Sequence, residues 1–426
     1  MMIHDDAPSF FDDFIPLCFD DDTTDSYILM MTQRTAIVGG GAAGFFLAVN
    51  LKEMMPGMEV TIFERSRRVL AKVGVSGGGR CNCTNTFEDV RDLQTVYPRG
   101  HRLMKRLFKT FDYRQAYAWF EQHGVPLVVQ DDHCVFPAAQ DSHAVINCFL
   151  RLARQYHINI CTEEKIGSLD QLSAFDYVAV TTGGSPRQEG LQWLADMGHE
   201  IAQPVPSLFT FRIDDERLTA LMGLVVDSVN VRIAGTKYLA DGPLLITHWG
   251  LSGPAILKLS SYAARHLADN DYRQPLCINW ARLNEAEVLD VLMKTIVKEP
   301  QKQLTTFSPV ALPLRLWTYL VEKAMGGRSI LRWHELNKKD IHRLVNTLTN
   351  DTLIIAGRSV FKDEFVTCGG AALDSVNPAT LESRHRPRLF FAGEVLDIDG
   401  ITGGFNFQAA WTTAYTVATA IKNQAT

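Results

Sequence analysis

One stretch near the start limits the possible folds of this chain more than any other. Arg34-Thr-Ala-Ile-Val38 has the character of a buried strand and runs straight into Gly39-x-Gly41-x-x-Gly44. Ala42 to Met54 then reads as a helix, and Val60-Thr-Ile-Phe-Glu64 as a second strand ending on an acid. Strand, glycine turn, helix and strand in that order make a βαβ unit built for a dinucleotide. Gly39 permits the tight turn, Gly41 lets backbone approach a pyrophosphate, and Gly44 lets helix and strand pack closely. The N–H groups of Ala42 and Ala43 open the helix, where the dipole favours anions. Glu64, about 20 residues on, has the position of the acid that binds a ribose hydroxyl.

Bulk composition excludes little else. The chain has 426 residues, 46% hydrophobic and 21% charged, with a net charge of −6. That length predicts two or three domains with ample core. No long Lys/Arg run favours nucleic acid, so a small-molecule partner is expected and nucleic acid is not. No apolar run approaches the roughly 18 residues that span a bilayer, so no membrane is expected. Cys81 and Cys83 form a C-x-C with no second pair at zinc spacing, so no metal is expected. Scattered cysteines fit free thiols in a reducing cytoplasm. Residues 1–31 are acidic and aromatic and unlike a secretory signal. They read as a short extension, with a start at Met30 or Met31 as the alternative.

Further along, Lys72-Val-Gly-Val-Ser-Gly-Gly-Gly-Arg-Cys-Asn-Cys-Thr-Asn85 reads as a polar loop, and residues 101–123 as one helix with apolar positions from Leu103 to Phe120. Cys134-Val-Phe-Pro and Ile158 to Cys161 read as strands, and Asp141 to Tyr156 as a helix capped by Asp141 or Ser142. Phe175 to Gly184 reads as a buried strand ending in a glycine turn, placing Thr182 and Gly183 beside a cofactor. After Gly184, alternating β-branched stretches suggest a mostly antiparallel domain. Asn284 to Val297, Leu314 to Ala324 and Asn337 to Thr349, the last capped by Asn337, read as a helical module. The chain then returns with two strands that end in glycine, Phe365 to Gly370 and Leu389 to Glu394, and a final helix opened by Gly403-Gly404. The expected order is an extension (1–31), a first nucleotide-binding part (32–190), an inserted β domain (191–283), a helical module (284–350) and a second nucleotide-binding part (351–426).

The returning half favours FAD over NAD. FAD needs a second contact region, and N–H groups at a helix start stabilise negative charge on a reduced flavin. Gly404, Phe405 and Asn406 are assigned that role, with Gly393 and Glu394 at the preceding strand end. Four motifs carry a resemblance: Lys72 to Asn85, Thr247-His-Trp-Gly-Leu-Ser-Gly-Pro254, Val366-Thr-Cys-Gly-Gly370, and Gly393 to Gln408. From about residue 34 to 422 the chain resembles the BaiN-type bacterial flavoproteins, NAD(P)/FAD-dependent oxidoreductases also described as aminoacetone-oxidase-like. The resemblance implies an α/β fold: a discontinuous Rossmann-like FAD domain carrying an inserted β-barrel-like domain and a small helical domain. It also implies that Ser76, Gly77, Gly79, Arg80, Cys81 and Asn82 lie along FAD.

Arg80 offers a charged fork for pyrophosphate or a substrate acid. Cys81 reads as a packed or cofactor-lining thiol, because C-x-C holds two sulfurs awkwardly for a disulfide. Arg65 and Lys72 join the cofactor set, Lys72 either touching pyrophosphate or standing solvated. Asp397 and Asp399 bind ribityl hydroxyls or shape the turn. His248 is a weak candidate for an acid or base, with a structural turn as the competing reading. In one stretch, Gly184 to Trp193, the chain is shorter than the family pattern and lacks its Gly-Asp-Gly element, so the substrate carries over least safely.

The expected activity is transfer of hydride or electrons between a small organic substrate and FAD, with NAD(P)H as a transient donor. The alternatives are an amine oxidase that uses oxygen and a flavoprotein that acts on RNA.

Overall fold

The computed structural model describes residues 33–185, 188–328, 330–358 and 366–426. The extension 1–31, Phe365, and Pro186 in the shortened stretch lie outside them.

A five-stranded parallel sheet forms the base, in the order Leu389–Phe391, Tyr177–Val180, Arg34–Val38, Glu59–Glu64, Asn159–Thr162. Arg34–Val38 is central and pairs on both sides, with Ala36 opposite Thr61 and Val178. In such sheets ligands sit beyond the carboxyl ends of the strands, where chain order reverses. The strand that completes one flank, Leu389–Phe391, comes from the far end of the sequence, so the nucleotide domain is discontinuous.

Helices Ala42–Met54 and Phe405–Ala425 pack together against this sheet. Their interface is aromatic: Phe46 lies 5.1 Å from Trp411 and 4.6 Å from Trp119, and Phe149 lies 5.8 Å from Trp411 (ring centroids). Such pairs add about 0.5–1.5 kcal/mol each beyond their buried area. Residues 101–123 form two helices, His101–Leu107 and Tyr113–Gln122, rather than the single one their periodicity predicts. The break falls where Asp112 accepts the N–H groups of Arg114 and Gln115 in a capping box, so a new helix starts there.

The chain leaves this domain on Ile201–Ser207 and returns on Val366–Ala371, and these two strands pair antiparallel as a neck. Beyond the neck, six antiparallel strands close into a barrel. The last of them, Asp351–Arg358, is a correction: chain order predicts that it belongs with the returning half, yet it pairs with Gln274–Asn279 and Phe211–Ile213. Its alternation explains this, because Leu353 and Ile355 point into the barrel core while Thr352 and Ile354 are exposed. The helices Glu285–Lys298, Leu314–Met325 and Lys338–Thr349 connect two barrel strands and share the barrel's core through Trp280, Trp317 and Trp333. Asn284 and Asn337 both form capping boxes. No helix among the described residues is long and apolar enough to cross a membrane.

Candidate cofactor site

The three fingerprint glycines have three different surroundings. A Cβ on Gly39, whose φ is +119°, would fall 2.4 Å from the Thr181 carbonyl oxygen and 2.8 Å from the Thr182 nitrogen. One on Gly44 would fall 2.0 Å from the Gly39 oxygen, inside the helix–strand contact. One on Gly41 would meet nothing within 4 Å. Gly41 also begins its helix without a side-chain cap or an acid in the first turn, so the N–H groups of Ala42 and Ala43 have no partner within the helix. That is a cradle a pyrophosphate fits. Glu64 ends its strand with one carboxylate oxygen accepting the Gly40 N–H (2.8 Å) and the other the Ser66 N–H (2.8 Å). Arg65 is exposed just beyond.

The returning half meets this cradle directly. A Cβ on Gly393 would lie 2.9 Å from Ala43 Cβ, and the Gly393 N–H donates to Thr413 Oγ1 (2.8 Å). Glu394 accepts Lys72 Nζ (3.0 Å) and the Thr367 N–H (2.7 Å) and lies against Gly183 and Gly184. Lys72 is therefore paired rather than simply solvated.

The expected polar loop begins as a helix, Ala71–Gly79, that breaks at Ser76 and turns left-handed at Gly77 (φ +57°) and Gly78 (φ +68°). Ser76 Oγ donates to the Val73 carbonyl, and Gly79 continues the left-handed turn at +82°. Arg80 is not a free fork. Its guanidinium stacks over Phe136 (4.3 Å) and donates to the Gly77 carbonyl and Gln140.

Cys81 is fully buried, with Cys83 Sγ 3.9 Å from its sulfur. Burial, reinforced by Cys81, pushes the Cys83 thiol well up, which keeps it protonated.

Residues 82–85 are strapped across the start of the last helix. Thr84 Oγ1 donates to Gln408, Asn85 Nδ2 to the Gly403 carbonyl, and Trp411 Nε1 to the Cys83 carbonyl. With its amide oriented to satisfy both ends, Asn82 accepts the Gly404 N–H (3.1 Å) and donates to the Thr84 and Val135 carbonyls. The Gly404 N–H, expected to face a flavin, is thus already used. The first-turn donors left at this uncapped helix start belong to Phe405, Asn406 and Phe407. The Asn406 side chain itself braces the turn through both polar groups of Gly400.

Asp397 and Asp399 face the inserted domain. Asp397 takes both its bonds from Arg265 (2.9 and 2.8 Å). Asp399 is fully buried, paired with Arg99 and bonded to Ser207 Oγ (3.0 Å), while Arg99 also donates to the Ser261 carbonyl (2.7 Å). Burial pushes the Asp399 carboxyl up, and Arg99 and Ser207 only partly offset that. Arg99, Arg265 and Thr367 were not legible as site residues, because no local motif marks them and their partners lie far away in sequence. The inserted domain reaches this cluster through Ser261, Tyr262 and Arg265. His248, by contrast, is exposed on the two-residue turn between Leu239–Thr247 and Gly250–Ser252, its ring edge against Trp249.

The glycine cradle and the returning strand end meet where Gly393 touches Ala43, and a second uncapped helix start opens at Gly404. On a discontinuous Rossmann-like sheet, this arrangement defines an FAD-dependent oxidoreductase. Residues 33–420 match the family described as the HI0933-like protein Rossmann domain, and the chain belongs to that family. Among relatives, a ribosomal RNA dihydrouridine synthase of Haemophilus influenzae is 26% identical over 410 residues, covering 90% of this chain and 97% of its own. Another of that name, from Escherichia coli, is 27% identical over 395 residues, 88% of this chain and 95% of its own. A 3-dehydro-bile acid delta(4,6)-reductase of Clostridium scindens is 24% identical over 395 residues, with the same shares.

Proposed function

We propose that this chain is a reductase that saturates a C=C bond conjugated to a carbonyl, and that the ring it reduces is a uracil within RNA. One observation carries the reading. All three relatives match over 95% or more of their own length, and their names describe a single chemistry. A uracil C5=C6 bond conjugated to C4=O and a ring dienone on a steroid acid are both electron-poor alkenes that accept hydride. The name carried by two of the three favours the uracil.

When bound, FAD would supply two-electron hydride chemistry. The residues contribute binding and orientation. Gly41, Ala42 and Ala43 hold the pyrophosphate through backbone N–H groups. Glu64 orients the adenosine ribose. The Phe405 and Asn406 N–H groups would offer a positive helix end to the negative charge of a reduced ring. The Lys72–Glu394 pair and Gly183 would hold the cofactor between these two helix ends. NAD(P)H is the transient donor, so each turnover consumes one NAD(P)H and one proton and adds two hydrogens across the alkene.

The test is anaerobic. NADPH or NADH should bleach the purified yellow protein, and a uridine-containing RNA should restore the colour and gain two hydrogens in mass. Recovery of colour with a small enone but never with RNA would assign a small-molecule substrate instead. Bleaching by an amine with peroxide release in air would establish the oxidase reading.

A further inference from the structure

The overall charge of −6 conceals a strongly basic stretch: from Arg65 to Lys109, eleven Lys and Arg residues stand against three acids. Those acids are engaged, Glu88 and Asp89 by His133 and Asp92 by the Gln94 N–H. At its end, Arg102, Lys105, Arg106 and Lys109 are all exposed, on helix His101–Leu107 and the turn that continues it. Their i, i+3, i+4, i+7 spacing puts them on one face. Among the described residues none of the four side chains has a hydrogen bond or ion pair. The opposite face, Leu103, Met104 and Leu107, is buried.

This helix is fixed to the returning segment between Ile398 and the start of the last helix. It follows Arg99, which pairs with Asp399, and a Cβ on Gly100 would lie 2.7 Å from Ile398. Just upstream, the Tyr97 hydroxyl donates to the Phe405 carbonyl (2.8 Å).

We propose that Arg102, Lys105, Arg106 and Lys109 form a docking stripe for the phosphodiester backbone of RNA, holding the strand whose base enters the flavin site. This rests on the uracil reading above. Four unneutralised cations over about 10 Å of helix match roughly three phosphates of one strand. The stripe has no apolar residue to insert into a lipid surface, since its hydrophobic face is already in the core.

The test uses the full FAD-loaded chain and a short uridine-containing RNA hairpin, with affinity measured across a salt series. The variant Arg102→Gln/Lys105→Gln/Arg106→Gln/Lys109→Gln is compared with Lys338→Gln/Lys339→Gln on the helical module. The stripe variant should lose about tenfold or more in affinity and roughly 2 to 3 from the salt slope. It should keep its yellow colour and wild-type bleaching by NADPH, which shows that it is folded, and the control pair should bind normally. Wild-type affinity and slope in the stripe variant would overturn the stripe and leave the uracil reading standing. An equal loss in the control pair would do the same, by showing only diffuse attraction. If the wild-type protein binds no RNA even at low salt, the uracil reading itself falls. Displacement of the RNA by polyglutamate at matched charge would replace RNA with an acidic protein partner.

Discussion

Three glycines of one motif respond differently to the same substitution, because only their tertiary surroundings differ. Gly41→Val adds methyls to open space, so the chain should fold. The valine would stand where a pyrophosphate approaches. Losing even one charge-assisted bond of about 1.5–3 kcal/mol should cut FAD affinity roughly tenfold or more, read as loss of flavin absorbance with thermal stability of the apoprotein kept. Gly44→Val drives a Cβ into the Gly39 carbonyl and should yield little folded protein. A Gly41→Val protein that stays yellow would move the pyrophosphate elsewhere. The spacing alone announced the motif, and the open or filled space at each glycine came only from the fold. The same holds for Arg80 and Asn82. A cofactor loop was the expectation for both, but Arg80 is spent on Phe136 and Asn82 on Gly404, neither of which lies nearby in sequence.

At the level of elements, helix ends were legible where a side chain acts on its own neighbourhood. Asn337 caps as expected, and Asn284 closes a box of the same kind, because a capping box is closed within four residues. Contacts between elements were not. Glu53 on the first helix accepts from His123 (2.7 Å) and from Tyr156 (2.9 Å), joining three helix ends. Burial pulls the His123 pKa down, but Glu53 and the Trp119 carbonyl outweigh it and the net shift is up. Burial likewise raises Glu53, and its bonds to His123 and Tyr156 bring it below its usual value. A raised histidine stabilises the fold below its unfolded value of 6.5, and that contribution is lost as pH rises through the folded value. A lowered carboxylate stabilises above its unfolded value of 4.5, and that is lost as pH falls through the folded value. The pair should therefore contribute most between those two values, by about 1 kcal/mol at most. The melting-temperature gap between wild type and Glu53→Gln should peak in that window and shrink above it. A gap independent of pH would assign the effect to packing.

On the scale of the whole molecule, two ion pairs sit at the junction of the nucleotide domain and the inserted domain, and burial separates them. Arg265–Asp397 crosses the junction, whereas Arg99–Asp399 lies on the nucleotide side and reaches across through the Ser261 carbonyl. Arg99 and Asp399 are almost wholly enclosed, whereas Arg265 is half exposed beside Asp397. Asp399→Asn leaves a buried guanidinium without its counter-charge and should cost about 3–5 kcal/mol. Asp397→Asn should cost about 1 kcal/mol or less, because water screens its partner. Denaturant midpoints decide, and equal small losses would show that the buried pair does not hold the domains together. By itself the sequence determined the βαβ unit, the capped helices, the alternating strands and the discontinuous order, because each is written in local spacing that short-range sterics and hydrogen bonding convert into structure. Only the tertiary structure decided that Asp351–Arg358 closes the barrel, that Glu394 takes Lys72 and Thr367, and that an exposed basic helix face stands next to Ile398 and Asp399. Those outcomes depend on which distant groups share a dielectric and a volume, and residue order does not encode that distance.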